Sequence, residues 1–356
     1  MKYIVGLRIG QNDIKALTNL ENTRKDAVIP LLSMRGDSQK ELDKFIANWG
    51  ERPFFIDVSH YPGDADSVFN QQNKLHDPAK AFFGRQQFYA TVKTSSDQAV
   101  PVVSWRDDDN PRDIIQFALA LSQQYPFIAI RPTILMTGAS PQWLMALNIL
   151  NAIQDISKVW LIADFGYCDA TFQSVALKKI EYIIKKTAEL GLQGIAMLTT
   201  SYPATKPPSG NTATIPCLDI GLYLSALKNT GIENLVYADC AATNPTSTMD
   251  FVPGMPVIPF VGYFTPREWW QGRLGKSMET AKYVDLAKHI QALPSYHGDN
   301  FCWGTKEIAR IATGTSTTGS NGSWNGVRIN QHICALLEHE ATGGFSTSTA
   351  SADDEL

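Results

Sequence analysis

Three aspartates close short apolar runs in this chain: Asp57 in PFFIDV, Asp164 in VWLIAD and Asp239 in LVYAD. Carboxylates at strand ends that share one mouth can act as general acid and base, or hold a divalent cation between them. Hydrolysis of a glycosidic bond would need two of them facing one cavity, roughly 5 to 9.5 Å apart. Arg8 and Arg131 close two further runs. A guanidinium in such a place can clamp a carboxylate or phosphate through paired N–H donors. The same reading adds His60 as a proton shuttle, Trp105 and Tyr202 as strand-end ligand contacts, and the Arg267-Glu268 pair from a later segment. The structural alternative is a buried cluster of paired charges that sets the strands against one another.

The elements that must position these residues form a repeat. Apolar runs at 3–9, 27–33, 53–58, 99–104, 127–130, 159–163, 194–198 and 235–238 read as strands, and helical patterns fall between them. Leu42, Phe45, Ile46 and Trp49 share one helix face, and Asn110-Pro111 has the composition of an N-cap followed by a first-turn proline. Eight strand–helix units favour closure into a (β/α)8 TIM-like barrel, an α/β fold whose sites lie at the C-terminal strand ends. The barrel core is assigned to residues 1–242 and a barrel-closing extension to 243–312. A flexible linker is assigned to 313–326, a C-terminal helix to 327–342 and a disordered acidic tail to 343–356. The Pro- and Gly-rich stretch 203–216 reads as loop, and His76, His289, His332 and His339 read as solvated.

Composition narrows the function classes. The 356 residues are 44% hydrophobic and 19% charged, which describes a chain with a real core. A net charge of −4 does not indicate a nucleic-acid partner. No apolar window is long enough to span a bilayer, and the N-terminus MKYIVGLRIGQND lacks a signal-peptide pattern. Five scattered cysteines with no CxxC point to reduced thiols and a cytoplasmic protein. No GxGxxG, GxxxxGK[ST] or GxSxG follows a strand. Trp269-Trp270 reads as core in preference to a stacking platform.

The segments YIVGLRIGQNDIKAL, VIPLLSM, PFFIDVS, AVPVVSW, FIAIRPT, WLIADFG, PREWW and HGDNFCWG, in that order, resemble the "beta protein" family, named after a phage T4 protein. The resemblance covers roughly residues 1–340. It implies a barrel-like domain and a setting in phage–bacterium conflict, and it assigns no reaction. The family's Lys-Gly-Glu after the first strand is matched here by Arg8-Ile9-Gly10-Gln11-Asn12, and its later Gly-Asp-Tyr by Gly298-Asp299-Asn300.

The resulting expectation is a ligand-binding barrel of a phage or bacterial defence context, taking a polar or anionic ligand, small or polymeric, at the strand mouth. The alternative is a hydrolase of a phosphoester or glycosidic bond using Asp57, Asp164 and Asp239, with a divalent cation as the cofactor such acids would hold. A third reading has a protein partner docking on the C-terminal helix. Asp164 is expected beside Arg131 in the barrel mouth.

Overall fold

The computed structural model describes residues 2–34, 39–59, 67–134, 140–171, 173–244, 257–314 and 319–345. Every apolar run of the repeat is a strand. They are β1 (Tyr3–Arg8), β2 (Val28–Met34), β3 (Phe54–Val58), β4 (Ala99–Val103), β5 (Ile128–Ile130), β6 (Val159–Tyr167), β7 (Gly194–Thr200) and, after one interposed strand, β9 (Leu235–Asp239). They pair in parallel and close on themselves in the order β1-β2-β3-β4-β5-β6-β7-β9. The chain is thus an α/β barrel of the TIM type.

Two apolar shells follow from the strand period of two. Ile4, Ile29, Leu31, Phe55, Val102, Ala129, Ile162, Ala196, Leu198 and Ala238 fill the interior of the barrel. Their neighbours Tyr3, Val5, Phe54, Ile56, Ile130, Leu161, Met197 and Tyr237 face outward and pack with the helices. Asn110 caps the helix Pro111–Gln124 as expected, its side-chain oxygen accepting from the Arg112 amide at 2.9 Å. Pro30 is accommodated within β2, where it lies opposite Val5 of β1.

The extension holds a second sheet that the composition hides. The interposed strand β8 (Asn211–Pro216) comes from the stretch read as loop, and it joins β10 (Phe260–Thr265) and β11 (Glu268–Arg273) in the antiparallel order β10-β11-β8. Thr212, Thr214 and Ile215 give β8 the β-branched content that suits a strand, and β11 supplies its pairing partners. Pairing with a distant segment outweighed the local Pro and Gly signal. Trp269 and Trp270 are consecutive and so face opposite sides. Trp269 packs in the main core, and Trp270 packs with Val261, Tyr263, Leu286 and Trp324 in a second, outer cluster. Both are core residues, as expected.

The C-terminal part also departs from expectation. Residues 315–318 and 346–356 lie outside the described residues, as does His60. The helix does not begin at 327: it spans Asn321–Ala341, capped by Ser320, whose side chain accepts from the Ser323 amide, and Trp324 in its first turn is buried. The part of the linker assignment from Ser320 onward is therefore helical, because the Ser320/Ser323 capping box and Trp324 anchor the start. Phe345, in the stretch assigned to the tail, packs against Tyr223 and Tyr237. Gly326 lets this helix lie close on the helix Gln11–Thr18, since a Cβ there would stand 2.8 Å from the Asn12 carbonyl oxygen.

The middle of the C-terminal helix carries Asn330, Gln331 and His332, all fully buried. Successive helical residues point about 100° apart, so the three reach different neighbours. Asn330 accepts from the Gly304 amide at 2.9 Å and donates to the Ala16 carbonyl at 2.9 Å. Gln331 accepts from the Phe264 amide at 3.0 Å and donates to the Phe264 carbonyl at 2.8 Å. It thereby covers the free edge of β10. Leu336, Cys334, Ile333 and Ile329 fill the space between. This helix turns its apolar face to its own barrel.

Among the described residues the five cysteines are free, and no helix is long and apolar enough to cross a membrane. Gln331→Ala is expected to leave both Phe264 backbone groups without partners and to cost about 1–3 kcal/mol. Urea unfolding monitored by tryptophan fluorescence measures this; an unchanged midpoint would show that water replaces the amide at no cost.

Candidate functional site

Strand parity decides which strand-end residues meet. Phe55, Ala129 and Ile162 face the barrel interior, so Asp57, Arg131 and Asp164, two residues further on, point the same way. They form one ion cluster. Arg131 Nη1 donates to Asp57 Oδ2 at 2.9 Å. Its Nε and Nη2 donate to Asp164 Oδ2 at 3.0 and 2.8 Å. The expected neighbourhood of Asp164 and Arg131 is observed. The other carboxylate oxygens are also engaged. Asp57 Oδ1 accepts from Ser104 Oγ at 2.6 Å and the Val58 amide at 2.8 Å, and Asp164 Oδ1 accepts from the Gly166 amide at 3.0 Å. That last bond sits at a bulge that carries β6 on to Tyr167, so Asp164 lies within the strand and not at its end.

A second buried arginine stands behind this cluster. Arg85 donates to the carbonyls of Ser104 at 2.7 Å and Leu75 at 2.9 Å and stacks on Phe82 and Phe117. Ser104 links it to Asp57, so two guanidinium groups face two carboxylates. Beside it, burial and then the charges of Arg85 and Arg106 push the His76 imidazole down to about 3. His76 is half-buried and neutral, not solvated.

Asp239 has the opposite parity. Ala238 and Cys240 face the barrel interior, and Asp239 points outward. There it accepts from the hydroxyls of Tyr3 and Tyr237, from the Ala241 amide at 2.8 Å and from His332 Nε2 at 2.8 Å. His332 is therefore not solvated but fully buried, stacked on Trp269. Asp219, also fully buried, lies near this group. Desolvation, then the charge of Asp239, raises its carboxyl well above the usual range.

The candidate acids are thus 0%, 2% and 0% exposed for Asp57, Asp164 and Asp239, and none lines the cavity at the mouth. The three do not share one space, because Asp239 faces the other side of the barrel wall. Trp105 is buried in the core, and Arg267 is exposed at the turn between β10 and β11 with Glu268 beside it; none of these lines the cavity either. Arg8, Arg131 and Tyr202 do line it.

That cavity has a volume of about 250 Å³ and sits at the C-terminal end of the strands under the second sheet. Arg8, Ser33 and Arg131 form its floor from the barrel. Tyr202 and Lys206 follow β7, and Cys240 and Asn244 follow β9. Phe260 and Gln271 come from the covering sheet, Asn325 and Arg328 from the C-terminal helix, and Asp13 from the first helix. Among the described lining residues, Asp13 is the single carboxylate against four cationic side chains. Arg328 donates to the Ala242 carbonyl at 2.8 Å and to Asn325, and lies over the rings of Tyr202 and Phe260. Both of its hydrogen-bond acceptors are neutral. Lys206 is exposed as a residue, but its amine stands over the Phe260 ring at 5.1 Å. Desolvation there, then the like charges of Arg328 and Arg273, lowers its pKa.

Lys206, Gln271 and Arg328 are cavity-lining residues that sequence reasoning passed over. Gln271 was legible in part, since it shares strand parity with the buried Trp269. Arg328 falls one turn after Trp324, on the side that also carries Val327 and Gln331. The chemistry available is anion recognition by guanidinium and ammonium groups. Among the described residues, no three of His, Cys, Asp and Glu gather in a metal-holding arrangement.

Arg131→Ala would strand two buried carboxylates and is expected to cost about 3–5 kcal/mol. Urea unfolding tests this, with Asp57→Asn/Asp164→Asn added to the same background expected to restore part of the loss. Asp219 gives a pH signature. An acid whose folded pKa is raised keeps its proton in the folded state after the unfolded chain has lost it. Stability then falls as pH rises above about 4. Asp219→Asn should therefore raise Tm more at pH 8 than at pH 4; an equal gain at both would show that Asp219 does not titrate this way.

No curated protein matches the chain. The family model described as Beta protein matches residues 3–338, from the first barrel strand to the last turns of the C-terminal helix, and the chain belongs to that family.

Proposed function

We propose that this is a barrel-fold binding protein that takes a small polar anion at the C-terminal mouth of its strands. The observation that carries the reading is Arg328. Its guanidinium lines the cavity, half-buried between two aromatic rings, and its hydrogen bonds go to neutral acceptors. A partly desolvated cation in that position favours an incoming negative charge. Lys206 and Arg8 add to the field, and the positive excess of the lining repels a lone metal cation. The volume suits one small ligand and lies just under the ~300–1,000 Å³ of drug-sized pockets.

The hydrolase alternative needs two carboxylates facing one cavity, and the three candidate acids are instead held by Arg131, tyrosines and His332. The arrangement therefore favours binding. The phage–bacterium setting implied by the family resemblance belongs to this proposal, and the resemblance is its only support.

Calorimetric titration with inorganic phosphate and with citrate tests the reading. Arg328→Ala should weaken binding roughly 10-fold or more, since a hydrogen bond to a charged group contributes about 1.5–3 kcal/mol. Affinity should also fall as pH rises, because the anion binds the ammonium form of Lys206. Its lowered pKa brings that loss to a lower pH than for an ordinary lysine. Lys206→Met should flatten the profile. Absence of anion binding in the parent protein, or an Arg328→Ala variant that binds as tightly as the parent, would sink the proposal.

A further inference from the structure

The cavity wall contains a neutral reader beside its cations. Gln271 is 1% exposed and lines the cavity with its carboxamide beside the Tyr202 hydroxyl, and neither its amide oxygen nor its amide nitrogen makes a hydrogen bond of 3.5 Å or less among the described residues. The hydroxyl of Tyr202, 5% exposed and in the same wall, likewise makes no hydrogen bond within that distance. Buried polar groups are nearly always paired, so such a group in a cavity wall points to a ligand.

The sheet holds room open over Gln271. In the antiparallel register Gln271 stands opposite Gly262 of β10 and Ala213 of β8, on the face turned to the barrel. A Cβ at Gly262 would come within 3.2 Å of the Arg328 side chain and 3.6 Å of the Tyr202 hydroxyl oxygen. The glycine thus leaves unfilled the space beside the Arg328 side chain and the Tyr202 hydroxyl. A carboxamide offers one donor and one acceptor side by side. Its natural complement is a group that presents an acceptor and a donor in the same spacing, as nucleobase edges and other amides do.

This inference rests on the anion-binding reading and extends it. We propose that the ligand is bipartite: an anionic group held by Arg328 and its neighbouring cations, joined to a neutral amide-type edge read by Gln271 with the Tyr202 hydroxyl. Two sources share that chemistry, a nucleoside monophosphate and a carboxamide-bearing amino acid. The cavity has room for one such unit.

The test is calorimetric titration of the full chain with inorganic phosphate, the four ribonucleoside monophosphates, and glutamine paired with glutamate. The expected result is that at least one amide-edged ligand binds 10-fold or more tighter than its plain anion, phosphate or glutamate. That gain, the ratio of amide-edged to plain-anion affinity, should vanish in Gln271→Met, and Gly262→Ala, which fills the space without removing the amide, should lose it too. Gln271→Met should also raise the Tm of the ligand-free protein, because it removes unpartnered buried polar atoms; this readout confirms that the variant is folded. Nucleotides gaining over phosphate identifies the first source, and glutamine gaining over glutamate the second. Equal affinity of plain and amide-edged anions, or a gain that survives Gln271→Met, overturns the bipartite ligand but leaves anion binding standing. If phosphate and every other probe fail to bind, the underlying anion reading falls and this inference with it.

Discussion

The mouth of this barrel depends on Arg131. One guanidinium spans β3 and β6 from the end of β5, holding Asp57 on one side and Asp164 on the other, with all three almost fully buried. Burying charges costs several kcal/mol per ion unless each is paired and its remaining hydrogen-bond sites are filled. Here they are filled, by Ser104, Val58 and Gly166, and Arg85 balances the second carboxylate from behind. Such a cluster gives little net stability over an apolar core, but it tolerates few alternative registers. It fixes how three strands stand relative to one another, and so fixes the floor on which the cavity is built.

What makes that floor a site is the cover. An open barrel mouth would leave Arg8 and Arg131 in water, where a charged contact is worth little. The antiparallel sheet of β8, β10 and β11 closes over it, with Phe260, Gly262, Phe264, Trp269, Gln271 and Arg273 on the face toward the barrel. Its other face carries Val261, Tyr263 and Trp270 into a separate apolar cluster with the helices Lys282–Gln291 and Trp303–Ala312. The sheet is therefore buried on both sides. The cations beneath it work in a partly dry space, and the amide of Gln271 is held in the wall.

The C-terminal helix fastens this cover to the barrel. Gln331 satisfies both backbone groups of Phe264 at the open edge of β10. His332 meets Asp239 on the outer side of the barrel wall, and Asn330 ties the first helix to the start of the helix Trp303–Ala312. One turn earlier the same helix presents Arg328 to the cavity. Fold stability and the cavity lining thus share one element, which explains why a helix with three consecutive polar residues is buried at all.

The repeat of apolar runs and helical patterns was enough to give the eight barrel strands, because strand and helix formation there follows local periodicity. The pairing of Arg131 with Asp164 was legible for the same reason: both close strands of one repeat. The role of Asp239 was not. A strand-end acid can face the axis or the outer shell, and a shift of one residue exchanges the two. Only the register of the closed barrel shows that Asp239 turns away from Asp57 and Asp164. The covering sheet was hidden too, since β8 borrows its partners from a segment some fifty residues later, and local Pro and Gly content says nothing of such pairing. Gln271 lines the cavity only because that long-range pairing places it over the mouth, and Arg328 because the C-terminal helix packs there. Residue types and their local order determined the barrel and its charged mouth. The tertiary structure decided which of those charges are locked away and which line the cavity, because burial and pairing depend on segments that the chain brings together from far apart.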